Sequence, residues 1–570
     1  MSAVLIAGAG PTGLTLACGL AAAGVPVRVV DAADGPSTTS RANILHARGV
    51  EVLDRIGALG DLRERSLQPM GMTMHAARRE LATMRFLPDR REATQALFVS
   101  QAAIEARLRR RLVGLGVGVE WGTAVEGAVQ DADGVTVRLA GGATARVDWL
   151  VGCDGAHSRV RDLAGIPFPG VPVVEQFLLA DVHADWDRDR STSAGWFHRD
   201  GMLLAMPMPD DAGDLWRLMA NVAPTGERLA PPQIVARLAE VLAKRAGERG
   251  IGIRDVVWTS VFRVQRRLTD DYRRGRLLLA GDAAHIHSPI GGQGMNTGVG
   301  DAENLAWKLA LVVAGRADPA LLDTYTAERR PLATRVVRRT TTTTRLLLGE
   351  GVLSRFVRNR VLVPLLRRPG VQRRATRDAA QLWVSYRRGP LGGWGRTPRP
   401  GDRLRDRPCR RDDGTASRLH RELGPAWALL AHPEADVGGV LDVARAHLGS
   451  ERVVVLRDPT TAGALLVRPD AHLAARADVA SVRRWSGAAG VASPGTHPQL
   501  GPASTTWRGV ASCPHPSHPR AGCLTLDTTA LRCASWWSGA PGWSGVPRSP
   551  RCTLRVTRPC RWPGRPASTS

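Results

Sequence analysis

Three well-separated stretches carry residue types whose spacing suits chemistry as well as packing. The first is Gly8-Ala9-Gly10-Pro11-Thr12-Gly13, with Asp31 further on. Glycines at these spacings allow a tight turn at Gly8, a close backbone approach to a pyrophosphate at Gly10, and close helix–strand packing at Gly13. An acid about 20 residues past such a turn accepts hydrogen bonds from a ribose hydroxyl. The second stretch is Gly152-Cys153-Asp154-Gly155-Ala156-His157-Ser158-Arg159. The third is Gly281-Asp282, leading into Pro289-Ile290-Gly291-Gly292-Gln293-Gly294-Met295-Asn296. Each of these sets an acid beside a glycine at the end of an apolar run, where ligands meet open α/β sheets. His285 and His287 follow the third acid, and imidazoles titrate near neutrality. Ordering or lining the loop is the role read for them, and no acid–base pair is assigned.

The elements that must position these residues are legible around them. Val4-Leu5-Ile6-Ala7 reads as a buried strand, Thr15 to Ala23 as a helix of small and apolar residues, and Val25 to Val30 as a second strand ending in Asp31. Asp148 to Gly155 and Leu277 to Asp282 each read as a strand running into a polar turn. Met295 opens a long helix through Asn304, Trp307 and Leu311, and its positive end near Gly294 faces whatever lies in the turn. Between the second and third stretches, Phe177–Val182, Gly195–His198, Met202–Met208 and Leu215–Val222 read as strands. Their large apolar residues Trp196, Phe197, Met206, Met208 and Trp216 are candidates to line a pocket for a flat ring system. The apolar start has no basic leader region and is broken by Pro11 and glycines, so it does not read as a signal peptide. No stretch is long and uncharged enough to span a bilayer. The expectation is a soluble, cytoplasmic protein.

Taken together, the three stretches make the chain resemble the FAD-dependent aromatic hydroxylases, the class A flavoprotein monooxygenases of the para-hydroxybenzoate hydroxylase fold. It is most similar to their polyketide hydroxylases and rifampicin-type monooxygenases, over roughly residues 1 to 490. The resemblance implies an α/β fold: a FAD-binding Rossmann-like domain, an inserted substrate-binding β-sheet domain and a C-terminal thioredoxin-like domain. It places the first part of the FAD-binding domain at 1–170, the substrate sheet at 171–274, the second FAD-binding part with long helices at 275–375, and the C-terminal domain at 390–490. By resemblance, Gly8, Gly10, Pro11, Thr12, Gly13 and Asp31 hold the ADP half of FAD. Arg41 sits near the FAD phosphates and the active-site mouth, and Gln101 contacts the ribityl and phosphate region. Asp154 and Gly155 serve FAD and NAD(P)H, and Asp282 binds the ribityl chain. Pro289, Gly292, Gly294, Met295 and Asn296 surround the isoalloxazine ring, where a helix start suits the negative charge of a reduced flavin. Tyr325 to Pro331 matches the family helix that follows. The implied reaction uses NAD(P)H as reductant and O2 as co-substrate, and it hydroxylates a polycyclic aromatic through a C4a-hydroperoxyflavin. Baeyer–Villiger oxygen insertion, antibiotic-inactivating hydroxylation of the rifamycin type and a non-catalytic ligand-binding flavoprotein are the alternatives.

At 570 residues there is room for several domains. The formal net charge of +25 raises nucleic acid as a partner. The positive charge is almost all arginine, with Lys244 and Lys308 the only lysines, as GC-rich coding sequence produces. No nucleic-acid motif accompanies it. The expected partner is a small aromatic molecule, with no nucleic acid and no membrane, in a monomer or homodimer. The arginines of 335–377, including Arg358-Asn359-Arg360 and Arg367-Arg368, read as solvated helix faces. Ala464-Leu465-Leu466-Val467-Arg468-Pro469-Asp470 is similar to a strand of the thioredoxin-like domain of the polyketide hydroxylases. That segment has no Cys-x-x-Cys and so no dithiol chemistry. Residues 491–570 differ in kind: Cys513, Cys523, Cys533, Cys552 and Cys560 fall there, with nine arginines against one acid, Asp527. A shifted reading frame near 490 explains this composition. A disordered tail and a metal site at Cys513, His515, His518 and Cys523 are the alternatives, the last with spacing unlike zinc sites. No metal site is assigned, and the tail is expected to be disordered and dispensable.

Overall fold

A computed structural model describes residues 2–39, 42–67, 71–76, 78–86, 94–224, 229–248, 251–287, 291–348 and 352–491. Arg41, Pro289 and the tail 492–570 lie outside the described residues.

The first layer is a six-stranded sheet in the order 273–274, 277–279, 149–152, 4–7, 27–30, 119–120. Its neighbours from 277–279 to 119–120 run parallel. Parallel strands are buried on both faces and therefore read as continuous apolar runs, as Val4–Ala7 and Trp149–Gly152 do, buried throughout. Helix α1 (Pro11–Ala22) leaves the first strand with Gly10 as its N-cap and proline at its first position. Helices α2 (Ala47–Arg55) and α3 (Gln101–Val113) follow. Ser100 caps α3 by accepting from the Ala103 N–H. The short α4 (Arg159–Leu163) is capped by Ser158. A three-stranded antiparallel sheet, 125–130, 135–139 and 144–147, flanks this layer.

The second layer is an eight-stranded sheet in the order 285–286, 252–268, 170–185, 215–222, 201–207, 192–198, 71–76, 79–85. The runs read as strands at 177–182, 195–198, 202–208 and 215–222 lie within it, whereas 252–268 carried no such reading. The sheet is nevertheless not confined to 171–274. Gly71–Ala76 runs parallel to 192–198 and brings Arg79–Arg85 with it. Helix α5 (Pro231–Arg245) covers one face. Strand alternation sends Trp196 and Trp216 to that face, where both are buried beneath α5 with Leu178, Leu218 and Leu238. Trp186 stacks near them, 6.2 Å from Trp196 and 4.9 Å from Trp216 between ring centres. These two tryptophans are core, which corrects the pocket-lining role read for them: their strand positions have the wrong parity. Phe197 lies on the opposite face with Phe177, Leu179, Met202, Leu204 and Met219.

Helix α6 (Gly294–Val313) lies across α1. A Cβ on Gly19 would sit 2.9 Å from the Ala306 Cβ, so glycine lets the two helices approach closely. Helix α7 (Asp323–Leu348) follows. A fourth sheet, 416–418, 408–411, 453–457, 427–431, 464–467, 473–476, is followed by helix α8 (Val479–Ala488) at the end of the described chain. Trp427 on this sheet packs edge-on against Trp307 of α6, with centroids 5.4 Å apart, and against Trp485 at 5.2 Å.

Buried charge fixes the same junction. Glu328 accepts from Arg468 Nη1 at 2.8 Å and from Lys308 Nζ at 2.9 Å, with all three side chains fully buried. Burial pushes the Glu328 carboxyl up, but Arg468 and Lys308 outweigh it and bring its pKa down from 4.5 to about 2. A carboxyl depressed in the folded state contributes stability above its unfolded pKa and loses it as pH falls through the folded one. As pH falls from 4.5 toward about 2 this group is expected to remove stability progressively. In urea titrations at stepped pH, Glu328→Gln is expected to start less stable at neutrality and to lack that share of the acid limb.

Candidate active site

The three chemistry-bearing stretches leave the first sheet from one row. Ala7, Gly152 and Leu279 are register partners on adjacent parallel strands, so each turn begins at the same level. Their backbones touch. A Cβ on Gly8, whose φ is +103°, would lie 2.4 Å from the Cys153 carbonyl oxygen. A Cβ on Gly281 would lie 2.6 Å from Thr12 Oγ1, and one on Gly298 of α6 would lie 2.3 Å from the same atom. The first stretch is thus clasped by the second at Gly8 and by the third at Thr12. A Cβ on Gly13 would fall 2.0 Å from the Gly8 carbonyl oxygen, as close helix–strand packing requires.

Gly10 is different: a Cβ there would meet nothing within 4 Å. No side chain caps α1, so its first N–H groups face an open cradle with a positive helix end. That cradle fits a dinucleotide pyrophosphate. Asp31, half-buried at the end of the second strand, accepts from the Ala9 N–H at 2.6 Å and the Ala33 N–H at 2.8 Å. Each carboxylate oxygen has a further lone pair, which leaves room for a ribose hydroxyl. On these observations the residues present fit FAD.

Around the cradle the remaining residues divide into those that face it and those that hold it. Asp154 holds it: its oxygens accept from Ser158 Oγ at 2.5 Å and the Val160 N–H at 3.1 Å, fixing α4. Gly155 has φ +79° and open space around it. Asp282 is exposed on the turn after 277–279. Gln101 donates its N–H to the Ala42 carbonyl and its side chain to Glu105 at 2.8 Å. Asn296 is buried and fully engaged: its Oδ1 accepts from the His46 N–H at 2.8 Å, and its Nδ2 donates to the Ile44 and Gly292 carbonyls at 3.0 and 2.9 Å. It staples the 291–296 loop to the segment before α2. Gly292 and Gly294 flank that staple, and Met295 packs partly against the main core.

Three residues of this machinery, His46, Arg161 and Asp301, carry no motif that sequence reading singled out for the site. His46 meets the Gly291 carbonyl at 2.8 Å through Nε2. Burial lowers its pKa against that bond, so the neutral ring donating Nε2–H is favoured. Arg161 bridges the second and third stretches by donating from Nη1 to the Ala156 and Ala283 carbonyls at 3.1 and 3.2 Å. Asp301 of α6, wholly buried, accepts from the Gly281 N–H at 3.2 Å, His285 Nε2 at 2.6 Å and Arg329 Nε at 2.6 Å. Burial raises its carboxyl pKa, but Arg329 and His285 outweigh this and hold it below the usual value. Arg329 also donates to Thr297 O and Tyr386 Oη. His285 is therefore part of a knot tying the third turn to α6 and α7. Asp301 shares α6 with Glu303, Asn304 and Lys308, so no local signal set it apart.

Met206 and Met208 sit beside this assembly, with their sulfurs 3.5 and 3.7 Å from Asn43 Nδ2. They share the parity of Met202 and Leu204, the sheet face opposite α5 and on Phe197's side. Asp181 and Arg217 form a bidentate buried pair at 2.7 Å in the two central strands. Among the described residues His183, Asp210 and Asp214 could approach one ion, but Arg190 and Arg254 already engage the two carboxylates.

A strand-end cradle for a dinucleotide, knotted to a second turn carrying an acid and joined to an apolar sheet face, suits a flavoprotein. The comparisons agree. Residues 1–340 match the FAD binding domain family, to which the chain belongs. It is 36% identical over 513 residues to 6-methylpretetramide 4-monooxygenase of Streptomyces rimosus, covering 83% of this chain and 90% of that one. It is 34% identical over 474 residues to rifampicin monooxygenase of Streptomyces venezuelae, covering 82% and 94%. The solved anhydrotetracycline hydroxylase from Streptomyces rimosus superposes with a TM-score of 0.68 at 33% identity, covering 82% of this chain and 94% of that chain. The protein is a flavoprotein monooxygenase using FAD, a reduced nicotinamide and O2. No helix among the described residues is long and apolar enough to cross a membrane.

Proposed function

We propose that this enzyme hydroxylates a polycyclic aromatic of the polyketide type. The observation that carries the reading is the apolar sheet face on Phe197's side, whose Met206 and Met208 are set directly against the segment that the flavin loop is stapled to. Bound FAD supplies the redox chemistry, taking two electrons from NAD(P)H and activating O2 for transfer of one oxygen atom. The protein's part is binding, orientation and exclusion of water. The α1 N-terminus over Gly10 holds the pyrophosphate, Asp31 a ribose hydroxyl, and Asp282 the ribityl chain. Gly292, Gly294 and Met295 border the ring, and the α6 N-terminus favours negative charge on it. Asn296 acts by fixing that loop. Phe197, Met206 and Met208 keep a flat ring oriented and dry.

In this reading 1–170 and 275–375 together form the FAD-binding domain, with the substrate sheet inserted between them. The 390–490 segment is a thioredoxin-like domain. Its parallel pair 427–431 and 453–457, crossed over by Gly438–Leu448 and continued by two antiparallel strands, supports that.

The test is NAD(P)H consumption by the FAD-loaded chain with a panel of anthraquinone-type compounds and rifampicin. An aromatic polycycle is expected to stimulate consumption and to yield a product one oxygen heavier, with NMR placing a hydroxyl on a ring carbon. A ring-expanded ester would establish oxygen insertion instead. Turnover of rifampicin alone would favour the second reading, drug inactivation, which the rifampicin monooxygenase likeness supports.

A further inference from the structure

We propose that the helical run Val352–Leu365 docks this enzyme on an anionic lipid surface. The run is built from Val352–Val357, a π-helical turn Arg358–Leu362 and Val363–Leu365. Its amphipathicity is inverted. Leu353, Phe356, Val357, Val361 and Leu365 are 75, 58, 38, 54 and 38% exposed. Steps of three and four residues put them on one helix face. The inward side instead carries a charge: Arg358 is buried, with its guanidinium carbon 4.9 Å from the Phe197 ring centre. Beside it, Val363 packs into the same cluster as Phe197 and Met74. Single apolar residues on a surface are ordinary, but a continuous row of five on one helix face marks a contact surface.

The charge around the row selects the partner. From 352 to 377 the sequence holds eight arginines and no acid. Of these Arg360, Arg367, Arg368, Arg373, Arg374 and Arg377 are exposed. A second copy of the chain meeting face to face would set arginine against arginine. Nucleic acid reads basic grooves through stacked aromatics, whereas this row is almost wholly aliphatic. An anionic bilayer satisfies both parts: the apolar side chains enter the headgroup–acyl boundary and the arginines meet lipid phosphates. The solvated faces read from the sequence become, with the apolar row among them, one interfacial surface. It is peripheral and needs no spanning helix. It also stands whatever the substrate proves to be.

The test is co-sedimentation of the full-length, FAD-loaded chain with vesicles of phosphatidylcholine alone and of phosphatidylcholine with phosphatidylglycerol, at low and high salt. Binding is expected to be about tenfold stronger to the anionic vesicles and to weaken with salt. Leu353→Ser with Phe356→Ser is expected to lose about tenfold in binding, with flavin content and thermal midpoint unchanged. Arg367→Gln with Arg368→Gln is expected to lose a similar factor and to flatten the salt dependence. The proposal would be overturned by no sedimentation with anionic vesicles; by undiminished binding by both variants, which would place contact elsewhere on this basic chain; or by binding to polyglutamate in preference to vesicles, which would indicate an acidic protein partner. A lipid-independent dimer dissolved by Phe356→Ser would likewise overturn it in favour of self-association.

Discussion

Gly8→Ala is expected to give a protein that purifies colourless and unfolds at markedly lower urea than the parent. Two costs combine. The residue sits at φ +103°, a region that side chains rarely adopt. Its new Cβ would also fall 2.4 and 2.6 Å from the carbonyl oxygen and carbon of Cys153 and 2.9 Å from the Asp154 nitrogen. All three are backbone atoms of a buried parallel strand's end and cannot rotate away. Strain and overpacking together are expected to cost about 3 kcal/mol. Gly155→Ala is the control: its φ of +79° is also positive, though nearer the left-handed region, and its Cβ meets nothing within 4 Å. It should lose about 1 kcal/mol. Equal losses in the two variants would mean that the first and second turns do not press together as described.

The second large effect is expected at Asp301. Asp301→Ala removes the acceptor for the Gly281 N–H, for His285 Nε2 and for Arg329 Nε, all of them buried. It strands the Arg329 guanidinium, which is 2% exposed. Breaking one partner of a buried charge pair costs about 4 kcal/mol. The loss should be local as well as global, because the 281–284 turn loses its tie to α6 while Tyr325 Oη still holds the Leu279 carbonyl. Flavin content, read from absorbance of the purified protein, is expected to fall further than the loss of stability alone explains. Parental flavin content and urea midpoint would remove Asp301 from the account.

What could be read in advance follows from the range over which the physics acts. The βαβ unit around Gly8–Gly13 and Asp31 was legible because glycine spacing, strand burial and helix start are local properties, and they coincide in 4–31. Strands 215–222 and 201–207 were legible as short apolar runs, because both of their faces are buried. The role of Trp196 was not, since a one-residue change in parity exchanges the pocket face for the α5 face while hydrophobicity stays the same. The pairing of 71–76 with 192–198 joins residues more than a hundred positions apart and leaves no local mark. The same holds for Arg161, His46 and Asp301, whose partners lie far along the chain. The apolar residues of 353–365 were visible as letters, but their outward direction depends on which helix face Val363 and Arg358 take into the sheet.

The account rests on three strand ends converging on one dinucleotide, with its pyrophosphate over Gly10. The most direct test is titration of apoprotein with FAD, for the parent and for Gly10→Ala, each with a urea unfolding curve measured without flavin. Because a Cβ at Gly10 meets no protein atom within 4 Å, the flavin-free curves are expected to coincide. FAD affinity is expected to fall at least about tenfold, or ~1.4 kcal/mol. Unchanged affinity in a variant of unchanged stability would contradict the placement of the cofactor on this cradle.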